Sequence, residues 1–460
     1  MEPFAKRPRV EGVPGTSDGV PAETIITFHL LKKDAAGGVI MEEDGTFPPE
    51  MTHQLFGEKE EILGYDGLSI DVWFTPQFQA FIDVKYASKG PGATDLKQPF
   101  KEAFEAGFLE DKAAFDKALQ EEPAIDVGVL GREIVSRETE EGSTFSICHA
   151  QLSSAHPSLK ALHARLQPLV FFFIDAASSI DAEDPDWQLL TAVERTADGV
   201  EVLGYASLYR HYHYPAGVRL KLCQILVLPP HQGRGAGGLM VQAAQQLAEE
   251  MEACDLSVED PAVTLQALRT GLDVQRALAL EWVQEAAKER IAALAADKGK
   301  GPARAVPTGR GSSSSSSSSR AAKQAALEHP LAASAPVLER LRRELRLSKL
   351  QAGSVWRVLV FVVGKGEAAV EAGVEGMIRQ QLVAQLAAAK EDAQGKSLRD
   401  TDKGFIMCRG ASEVKSMLPL LPVEEQSAEQ QAEAVEESTE QQMEAVAAVA
   451  AKFLGPEQDL

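Results

Sequence analysis

The sequence predicts a mixed α/β fold with a helical C-terminal part, and three observations support this prediction. Short runs rich in β-branched and aromatic residues recur between residues 24 and 258. A glycine-rich turn at 232–238 lies between a strand-like run and an amphipathic run. Beyond a tract of serines at 312–319, apolar residues recur at helical spacing. With about 150 residues per domain, a chain of 460 residues is long enough for roughly three units.

Strands are predicted wherever such a run has strand length and is bounded by turn residues. Thr75-Pro76-Gln77 separates two of these runs and therefore predicts a hairpin. The predicted strands are Thr24–Leu31, Leu68–Phe74, Phe78–Tyr86, Leu169–Asp175, Trp187–Glu194, Gly204–Tyr209, Leu220–Leu228 and Ala253–Val258.

Helices are predicted where apolar residues recur every three or four positions. Phenylalanines 100, 104, 108 and 115 predict a helix over 95–120, and residues 237–251 form a second amphipathic run. Asp260-Pro261 is typical of a helix start, with Asp as N-cap and Pro in the first turn. The acidic C-terminus predicts a helix with one apolar face, made of Val435, Thr439, Met443, Val446, Ala450 and Phe453.

These patterns divide the chain into segments of different character. Eight consecutive serines cannot bury a core, and the Pro- and Gly-rich N-terminus is equally poor in apolar residues. The predicted segments are a disordered N-terminus at 1–22, a mixed N-terminal domain at 23–160, an α/β domain at 161–275, a helix at 276–297, a disordered insertion at 298–335 and a helical region with an acidic end at 336–460.

Composition excludes several classes of function. The formal net charge of −22 argues against direct DNA binding, which requires basic surface to replace the counterions of phosphates. No run approaches the ~18 apolar residues of a membrane-spanning helix. The four cysteines lack paired-ligand spacing, so we expect neither structural zinc nor any other metal. Lys6-Arg7-Pro8-Arg9 is either a nuclear import signal or a solvated basic tail.

The glycine-rich turn is the strongest local signal of a ligand site. Glycines at the start of a helix let backbone N–H groups approach a pyrophosphate. Gly233, Gly235 and Gly238 fit the dinucleotide pattern G-x-G-x-x-G, and residues 232–237 also fit Q-x-x-G-x-G, the pyrophosphate loop of acyl-CoA transferases. Pro229-Pro230-His231-Gln232 separate the glycines from the strand, which disfavours the dinucleotide fold. An empty turn that only caps a helix remains the third alternative.

Four segments in a fixed order resemble the type B histone acetyltransferases of the GNAT acyltransferase superfamily. They are THQLFGEKEEILGYDGLSI (52–70), FFFIDAASSIDAEDPDW (171–187), CQILVLPPHQGRGAG (223–237) and LSVEDPA (256–262). The resemblance spans about 210 residues and weakens after residue 290. It implies a central GNAT domain with a smaller mixed N-terminal domain and a helical C-terminal part. It also implies acetyl-CoA as co-substrate.

The resemblance also implies roles for individual residues. Glu259 would be the general base, and Asp260 and Asp175 would complete the acidic site, although Glu is more usual where Asp175 stands. The strand residues Ile225, Leu226 and Val227 would hold the pantetheine arm and thioester through the backbone. The pyrophosphate would be held by Gln232, Gly233, Arg234, Gly235, Ala236, Gly237 and Gly238. Substrate contacts would come from Glu58, Glu60, Trp187, Tyr209, Arg210 and His211.

The function that this resemblance implies is acetylation of lysines in the N-terminal tail of newly synthesised histone H4, in nucleus and cytoplasm. The amine would attack acetyl-CoA directly in a ternary complex, and a WD40-propeller histone chaperone would be the partner. The alternatives are a GNAT enzyme for another protein amine and a non-catalytic histone-binding module. Residues 42–71 hold nine acidic residues and one base, and 175–186 hold five acidic residues and no base. This distribution matches a Lys- and Arg-rich histone tail.

Overall fold

The computed structural model describes residues 19–34, 37–40, 45–140, 142–215, 217–297, 329–397 and 427–454. The Lys6–Arg9 cluster, and most of the two segments predicted to be disordered (1–18 and 298–328), lie outside the described residues. The chain forms two compact units, Met1–Glu252 and Ala253–Leu460, and each is described by itself.

The N-terminal part of the first unit is built on short strands. Their bounds are Val20–Pro21 (β1), Ile26–Leu30 (β2), Lys32–Lys33 (β3), Val39–Ile40 (β4), Thr46–Phe47 (β5), Glu61–Ile62 (β6), Tyr65–Asp66 (β7), Ser69–Phe74 (β8), Ala80–Lys85 (β9), Ser88–Lys89 (β10) and Phe108–Leu109 (β11). Five of them form a mixed sheet in the order β11-β9-β8-β2-β5. The predicted hairpin is confirmed, because β8 pairs antiparallel with β9 and Phe74 lies opposite Ala80.

The helix predicted over 95–120 is wrong as a single element. The helices of this part are Ala22–Ile25 (α1), His53–Phe56 (α2), Lys97–Ala103 (α3) and Lys112–Glu121 (α4). Between α3 and α4 the chain turns, with the Gly107 amide bonded to the Phe104 carbonyl, and β11 pairs in parallel with β9. Phe100, Phe104 and Phe115 are buried as expected. Pairing with a sheet edge has therefore overridden the helical spacing.

A second sheet carries the centre of the first unit. Its strands are Arg132–Glu138 (β12), Thr144–Gln151 (β13), Trp187–Arg195 (β14), Val200–His213 (β15) and Gly217–Val227 (β16). Neighbours in the order β12-β13-β14-β15-β16 all pair antiparallel. The strands predicted near 187–194, 204–209 and 220–228 are confirmed, and the last two are longer than predicted.

The strand predicted at Leu169–Asp175 is wrong. Helix Pro157–Leu166 (α5) runs directly into a 3-10 helix, Gln167–Phe172, and Asp175 lies in a turn beyond it. A short apolar run is compatible with any buried element, so periodicity could not decide here. Phe172 is fully buried, and its ring packs on the rings of Phe28, Phe100 and Phe104. This 3-10 turn therefore fills the core that both sheets of the unit share.

The helix predicted after the glycine turn is confirmed as Ala236–Glu250 (α6). Its apolar face is buried, as the side chains of Leu239, Met240, Ala244 and Leu247 show. The helix follows β16 and packs on the second sheet of the unit. This packing fixes the direction of its N-terminus.

The second unit contains one short strand and a group of helices. They are Leu256–Val258 (β17), Val263–Leu278 (α7), Glu281–Asp297 (α8), Ala335–Leu345 (α9), Lys349–Val363 (α10), Ala368–Ser397 (α11) and Ala428–Leu454 (α12). The predicted C-terminal helix is confirmed, and Val435, Thr439, Val446 and Ala450 are buried on its apolar face. Within the described residues, no helix has both the length and the apolar character that crossing a bilayer requires.

The predicted start of α7 is wrong in detail. The helix begins at Val263, and its N-cap is Ala262, which has no side-chain oxygen to cap the first turn. Asp260 instead has φ = 31°, in the left-handed region that few side chains favour. Asp260 and Glu259 are therefore not used to begin the helix.

Candidate active site

A strand, a turn and a helix bring together all ten predicted cofactor-binding residues. Strand β16 ends at Val227, a short 3-10 turn covers Pro229–His231, and α6 begins at Ala236. Gly233 and Gly235 have φ of 77° and 96°, a conformation that glycine adopts without strain. A Cβ on Gly235 would also lie 2.5 Å from Nη2 of Arg137, so the guanidinium that donates to the Arg234 carbonyl would have to move.

The N-terminus of α6 presents backbone donors. The first N–H groups of a helix, here those of Ala236, Gly237 and Gly238, have no carbonyl partner within the helix. The helix dipole places partial positive charge at the same point. Gly235, the N-cap, has no side chain that could occupy these donors. The turn therefore has the donor set that binds a phosphate or pyrophosphate group.

The side chain of Arg234 is used to fix the turn. Its guanidinium donates a 2.8 Å hydrogen bond to Oε1 of Glu194 and lies 5.0 Å from the centre of the Phe145 ring. Glu194 also accepts a hydrogen bond from Ser143 Oγ at 2.5 Å. Burial by itself would raise the pKa of Glu194, but the bonds from Arg234 and Ser143 outweigh burial and lower it. Glu194 is therefore held as a carboxylate beneath the turn.

Two further side chains hold the backbone of the turn. Arg137 Nη2 donates to the carbonyl of Arg234 at 2.9 Å, and its guanidinium lies 5.8 Å from the centre of the Phe145 ring. Gln232 Nε2 donates to the carbonyl of Val227 at 2.9 Å, which ties the turn to the end of β16. The turn is thus organised before any ligand binds, which reduces the entropy lost on binding.

Strand β16 also positions an acidic segment, residues 175–186. Gln224, next to Ile225, is buried and donates from Nε2 to the carbonyl of Ser178 at 2.7 Å. Its amide oxygen accepts from the hydroxyls of Ser207 and Tyr205. Leu226 is buried, whereas Ile225 is half-buried. The strand that carries the predicted thioester contacts is therefore bonded directly to the acidic segment.

The predicted substrate residues Trp187, Tyr209, Arg210 and His211 lie beside the end of this acidic segment. Trp187 and Tyr209 are cross-strand partners, and their rings meet edge to face at 4.8 Å. Tyr209 donates to Asp184 at 3.1 Å, and this hydrogen bond raises the pKa of the phenol. Arg210 pairs with Asp186 at 2.7 Å.

His211 is exposed, with its ring 4.6 Å from that of Tyr209. The individual roles of Asp184 and Asp186 were not predicted from the sequence. Only the run of acidic residues pointed to them, because the pairing of β14 with β15 creates these contacts.

The predicted acidic residues of the first unit have different surroundings. Asp175 has an 80% exposed side chain and lies 3.3 Å from His53 Nε2. Glu60 accepts from the amide and the hydroxyl of the fully buried Thr52, and these bonds lower its pKa. Glu58 is exposed.

A cleft of about 680 Å³ lies beside the chain segment that contains Glu58. It is lined by Gly19, Phe56, Gly57, Glu58, Lys59, Glu61 and Leu63. Glu58 therefore lines this cleft, whereas the carboxylate of Glu60 supports the local fold through its bonds to Thr52.

Glu259 and Asp260 lie in the second unit, directly after β17, and both are exposed. The chain bends at Asp260, whose φ of 31° lies in the left-handed region that non-glycine residues rarely adopt.

The Cys148 thiol differs from an activated nucleophile. Burial raises the pKa of this thiol to about 11, so it is not ionised near neutral pH. Cys223 and Cys254 are half-buried. Cys223 donates weakly to the Lys221 carbonyl at 3.6 Å.

Comparison with known proteins agrees with this geometry. The family described as "Histone acetyl transferase HAT1 N-terminus" matches residues 19–175, and the "Acetyltransferase (GNAT) family" matches residues 163–268. The chain belongs to the type B histone acetyltransferase family. It is a GNAT acetyltransferase, and GNAT acetyltransferases use acetyl-CoA as co-substrate.

Relatives described as "Histone acetyltransferase type B catalytic subunit" occur in plants and animals. The protein from Arabidopsis thaliana is 26% identical over 78% of this chain and 74% of its own length. That from Zea mays is 26% identical over 75% of this chain and 70% of its own length. The human protein is 30% identical over 49% of this chain and 57% of its own length.

Membership of this family bears on the alternatives left open by the glycine turn. The match to the GNAT family covers β14 to β17 and the first six residues of α7, so the turn at 232–238 lies inside the matched region. This favours an acyl-CoA over a dinucleotide as the ligand of the turn. The side chains that support the turn, Arg137, Ser143 and Glu194, were not predicted from the sequence. Arg137 and Glu194 come from other strands, Ser143 directly precedes β13, and none of the three matches a short motif.

Proposed function

We propose that this acetyltransferase transfers the acetyl group of acetyl-CoA to lysine ε-amines in the N-terminal tail of newly synthesised histone H4. The observation that carries the proposal is the pre-organised turn between β16 and α6, next to an acidic segment bonded to the same strand. The turn suits an acyl-CoA, and the acidic segment suits a cationic peptide.

For acetyl-CoA, the backbone amides of residues 233–238 would hold the pyrophosphate, with Gln232 and Arg234 as supports. The backbone of Ile225–Val227 would hold the pantetheine arm and thioester. Backbone N–H groups near the thioester would polarise its carbonyl.

For the transfer, we assign Glu259 as the general base. A lysine ammonium has a pKa near 10.4 and must lose a proton before it can attack. The Glu259 carboxylate accepts that proton, directly or through a water molecule. The neutral amine then attacks the thioester carbon, the C–N bond forms, the C–S bond breaks, and the CoA thiolate leaves and is protonated. Asp260 and Asp175 complete the acidic site.

Direct attack in a ternary complex agrees with the state of the Cys148 thiol. The raised pKa of Cys148 disfavours it as an acyl carrier. Steady-state kinetics test this point. In a ternary-complex mechanism, double-reciprocal plots for acetyl-CoA at several peptide concentrations intersect. Parallel lines would show a covalent acetyl-enzyme and would contradict the proposal.

For the histone tail, we assign the surface formed by residues 175–187 and 209–211, together with the cleft at Glu58. Asp184 and Asp186 supply negative charge, and the Trp187–Tyr209 pair supplies an apolar face for the lysine stem. The proposed partner is a WD40-propeller histone chaperone, and the proposed location is the nucleus and the cytoplasm. Both rest on the family alone.

Acetyl-CoA turnover on a peptide panel tests the proposal. An H4-tail peptide should be acetylated faster than a peptide presenting only an N-terminal α-amine and faster than a small amine. A preference for the α-amine would favour another GNAT function. Tail binding without any turnover would favour a non-catalytic histone-binding module.

The Glu259→Gln variant tests the base. Loss of a general base typically lowers kcat by about 10²–10⁴-fold, and acetyl-CoA binding measured by calorimetry should be unchanged. Glu285→Gln is the matched control, because Glu285 is an exposed glutamate of the same unit, on α8. Full turnover by Glu259→Gln would show that another group takes the proton.

A further inference from the structure

Both backbone polar groups of Leu256, three residues before Glu259, are held by other elements of the second unit. The Leu256 amide donates to the carbonyl of Arg346 at 2.8 Å, and Leu256 forms a parallel bridge with Leu347. The Leu256 carbonyl accepts from Arg269 Nη2 at 2.7 Å. Strand β17 is therefore anchored to the α9–α10 junction on one side and to α7 on the other.

The arginine that holds this strand is itself fixed by a buried polar network. Arg269 is 6% exposed, and its Nε lies 3.8 Å from Oδ2 of Asp273, which is 1% exposed. Gln351 on α10 donates to the same oxygen at 2.8 Å. Arg276 lies 3.4 Å from the other carboxylate oxygen and also donates to the Leu345 carbonyl at 3.3 Å.

Such a network is a costly way to hold a core together. Buried ion pairs lose hydration, and apolar side chains of similar volume often stabilise a fold at least as well. A guanidinium, unlike an apolar side chain, donates a directed hydrogen bond to one carbonyl. Here that carbonyl belongs to the strand that ends next to Glu259.

We propose that Arg269 and Asp273 are positioning residues for Glu259. Asp273 orients the guanidinium, Arg269 fixes the carbonyl of Leu256, and the short strand transmits this position to Glu259. The helices beyond the serine tract, through Arg346 and Gln351, are then part of the scaffold of the catalytic base. The inference rests on the proposed role of Glu259.

Positioning matters for this group because proton transfer is short-range. A general base acts within about 2.6–3.2 Å of the proton it removes, or through one water. A displacement of about 1 Å can lower the rate by about 10²-fold. A shift in β17 should therefore lower kcat and leave the binding of acetyl-CoA unchanged.

The test combines kinetics with hydrogen exchange. Asp273→Asn keeps the size of the side chain and an acceptor for Gln351 but removes the charge that orients Arg269. We expect kcat to fall at least about tenfold with saturating acetyl-CoA and H4-tail peptide, as for a misplaced catalytic group. The KM for acetyl-CoA should stay unchanged, and the Leu256 amide should exchange faster.

In the Glu259→Gln background, Asp273→Asn should cause no further loss of turnover, because the effects of residues that act as a unit are not additive.

Arg269→Lys is the second variant, for the case that Asp273→Asn does not fold. It keeps the charge beside Asp273 but shortens the reach to the Leu256 carbonyl, so the same fall in kcat is expected. Glu344→Gln is the control, because it breaks the contacts of Glu344 with Arg340 and Trp282 on the surface of the same unit.

The outcomes separate the two claims. If Glu259→Gln loses turnover but Asp273→Asn and Arg269→Lys do not, the positioning role is wrong and the base is retained. Losses that add in the double variant, or unchanged exchange at Leu256, also overturn the positioning role. If Glu259→Gln retains turnover, the base assignment is wrong, and the positioning of Glu259 falls with it.

Discussion

The guanidinium of Arg234 donates a 2.8 Å hydrogen bond to Oε1 of Glu194, a carboxylate on β14 that is only 4% exposed. Arg234 belongs to the predicted pyrophosphate loop, and the expectation from sequence was that it binds the cofactor. Its side chain instead connects the loop to the sheet, and the backbone amides are the donors that we propose for the phosphate groups. The position of the loop therefore depends on a residue 40 positions earlier in the chain.

Glu194→Gln should weaken acetyl-CoA binding. The amide keeps the shape of the side chain but loses the charge that fixes Arg234, so the loop loses its orientation. We expect a rise in the acetyl-CoA Kd of about tenfold, which corresponds to about 1.4 kcal/mol. Calorimetric titration measures it, and kcat at saturation should change little. The control is Glu133→Gln, which breaks an exposed pair with Arg195 on the same sheet. An equal effect in both variants would contradict the role of Glu194.

Gly235→Ala should impair the loop. The new Cβ would lie 2.5 Å from Arg137 Nη2, and alanine disfavours φ = 96°. We expect lower thermal stability and a loss of acetyl-CoA binding, measured by calorimetry and by melting with and without acetyl-CoA. Gly353→Ala in α10 is the control, because its Cβ meets no atom within 4 Å and helical Ala is favoured over Gly by about 0.5–1 kcal/mol. It should be neutral or stabilising.

Elements that depend on residues within one short segment could be predicted from the sequence. The glycine turn, α6 and the C-terminal helix were predicted correctly, because turn residues and a 3.6-residue period act within one segment. The run at Leu169–Asp175 was wrongly predicted as a strand, because its apolar side chains fill a core without belonging to a sheet. Asp260 fits a helix cap by type, but its backbone turns the chain before α7 begins.

The supporting part of the site could not be predicted from the sequence. Glu194 meets Arg234, and Arg269 meets the Leu256 carbonyl, through contacts set by packing and strand register. None of these residues lies in a motif that identifies its partner. The sequence therefore predicted the turn and helix start to which we assign the cofactor, but not the side chains that hold them.

His163 should make the protein less stable in mild acid. It is 3% exposed, and burial lowers its pKa to about 4, from an ordinary value of 6.5. The unfolded chain therefore binds a proton that the folded chain excludes between these values. The contribution of His163 to the free energy of unfolding is full above pH 6.5. It decreases as the pH drops towards 4, by up to about 3 kcal/mol. Urea unfolding at several pH values measures the slope.

His163→Phe provides the control for that slope. The phenyl ring keeps an aromatic contact to Tyr205, which the His163 ring meets edge to face at 5.2 Å, and it does not titrate. The free energy of unfolding of this variant should depend less steeply on pH between 6.5 and 4. Parallel slopes for the two proteins would show that His163 does not cause the acid sensitivity.

Asp184→Asn should weaken histone-tail binding in a salt-dependent way. The charge of Asp184 lies beside the Trp187–Tyr209 pair, where we place the substrate lysine, so its removal should raise the KM for an H4-tail peptide several-fold at low salt. The difference should shrink as salt rises, because the screening length falls from about 10 Å at 0.1 M to about 3 Å at 1 M. The acetyl-CoA KM should stay constant.

The control is Glu140→Gln, which removes the same charge from an exposed position between β12 and β13 and should have little effect on the peptide KM. An equal rise in peptide KM for both variants would mean that net charge alone attracts the tail, and not the surface at residues 175–187.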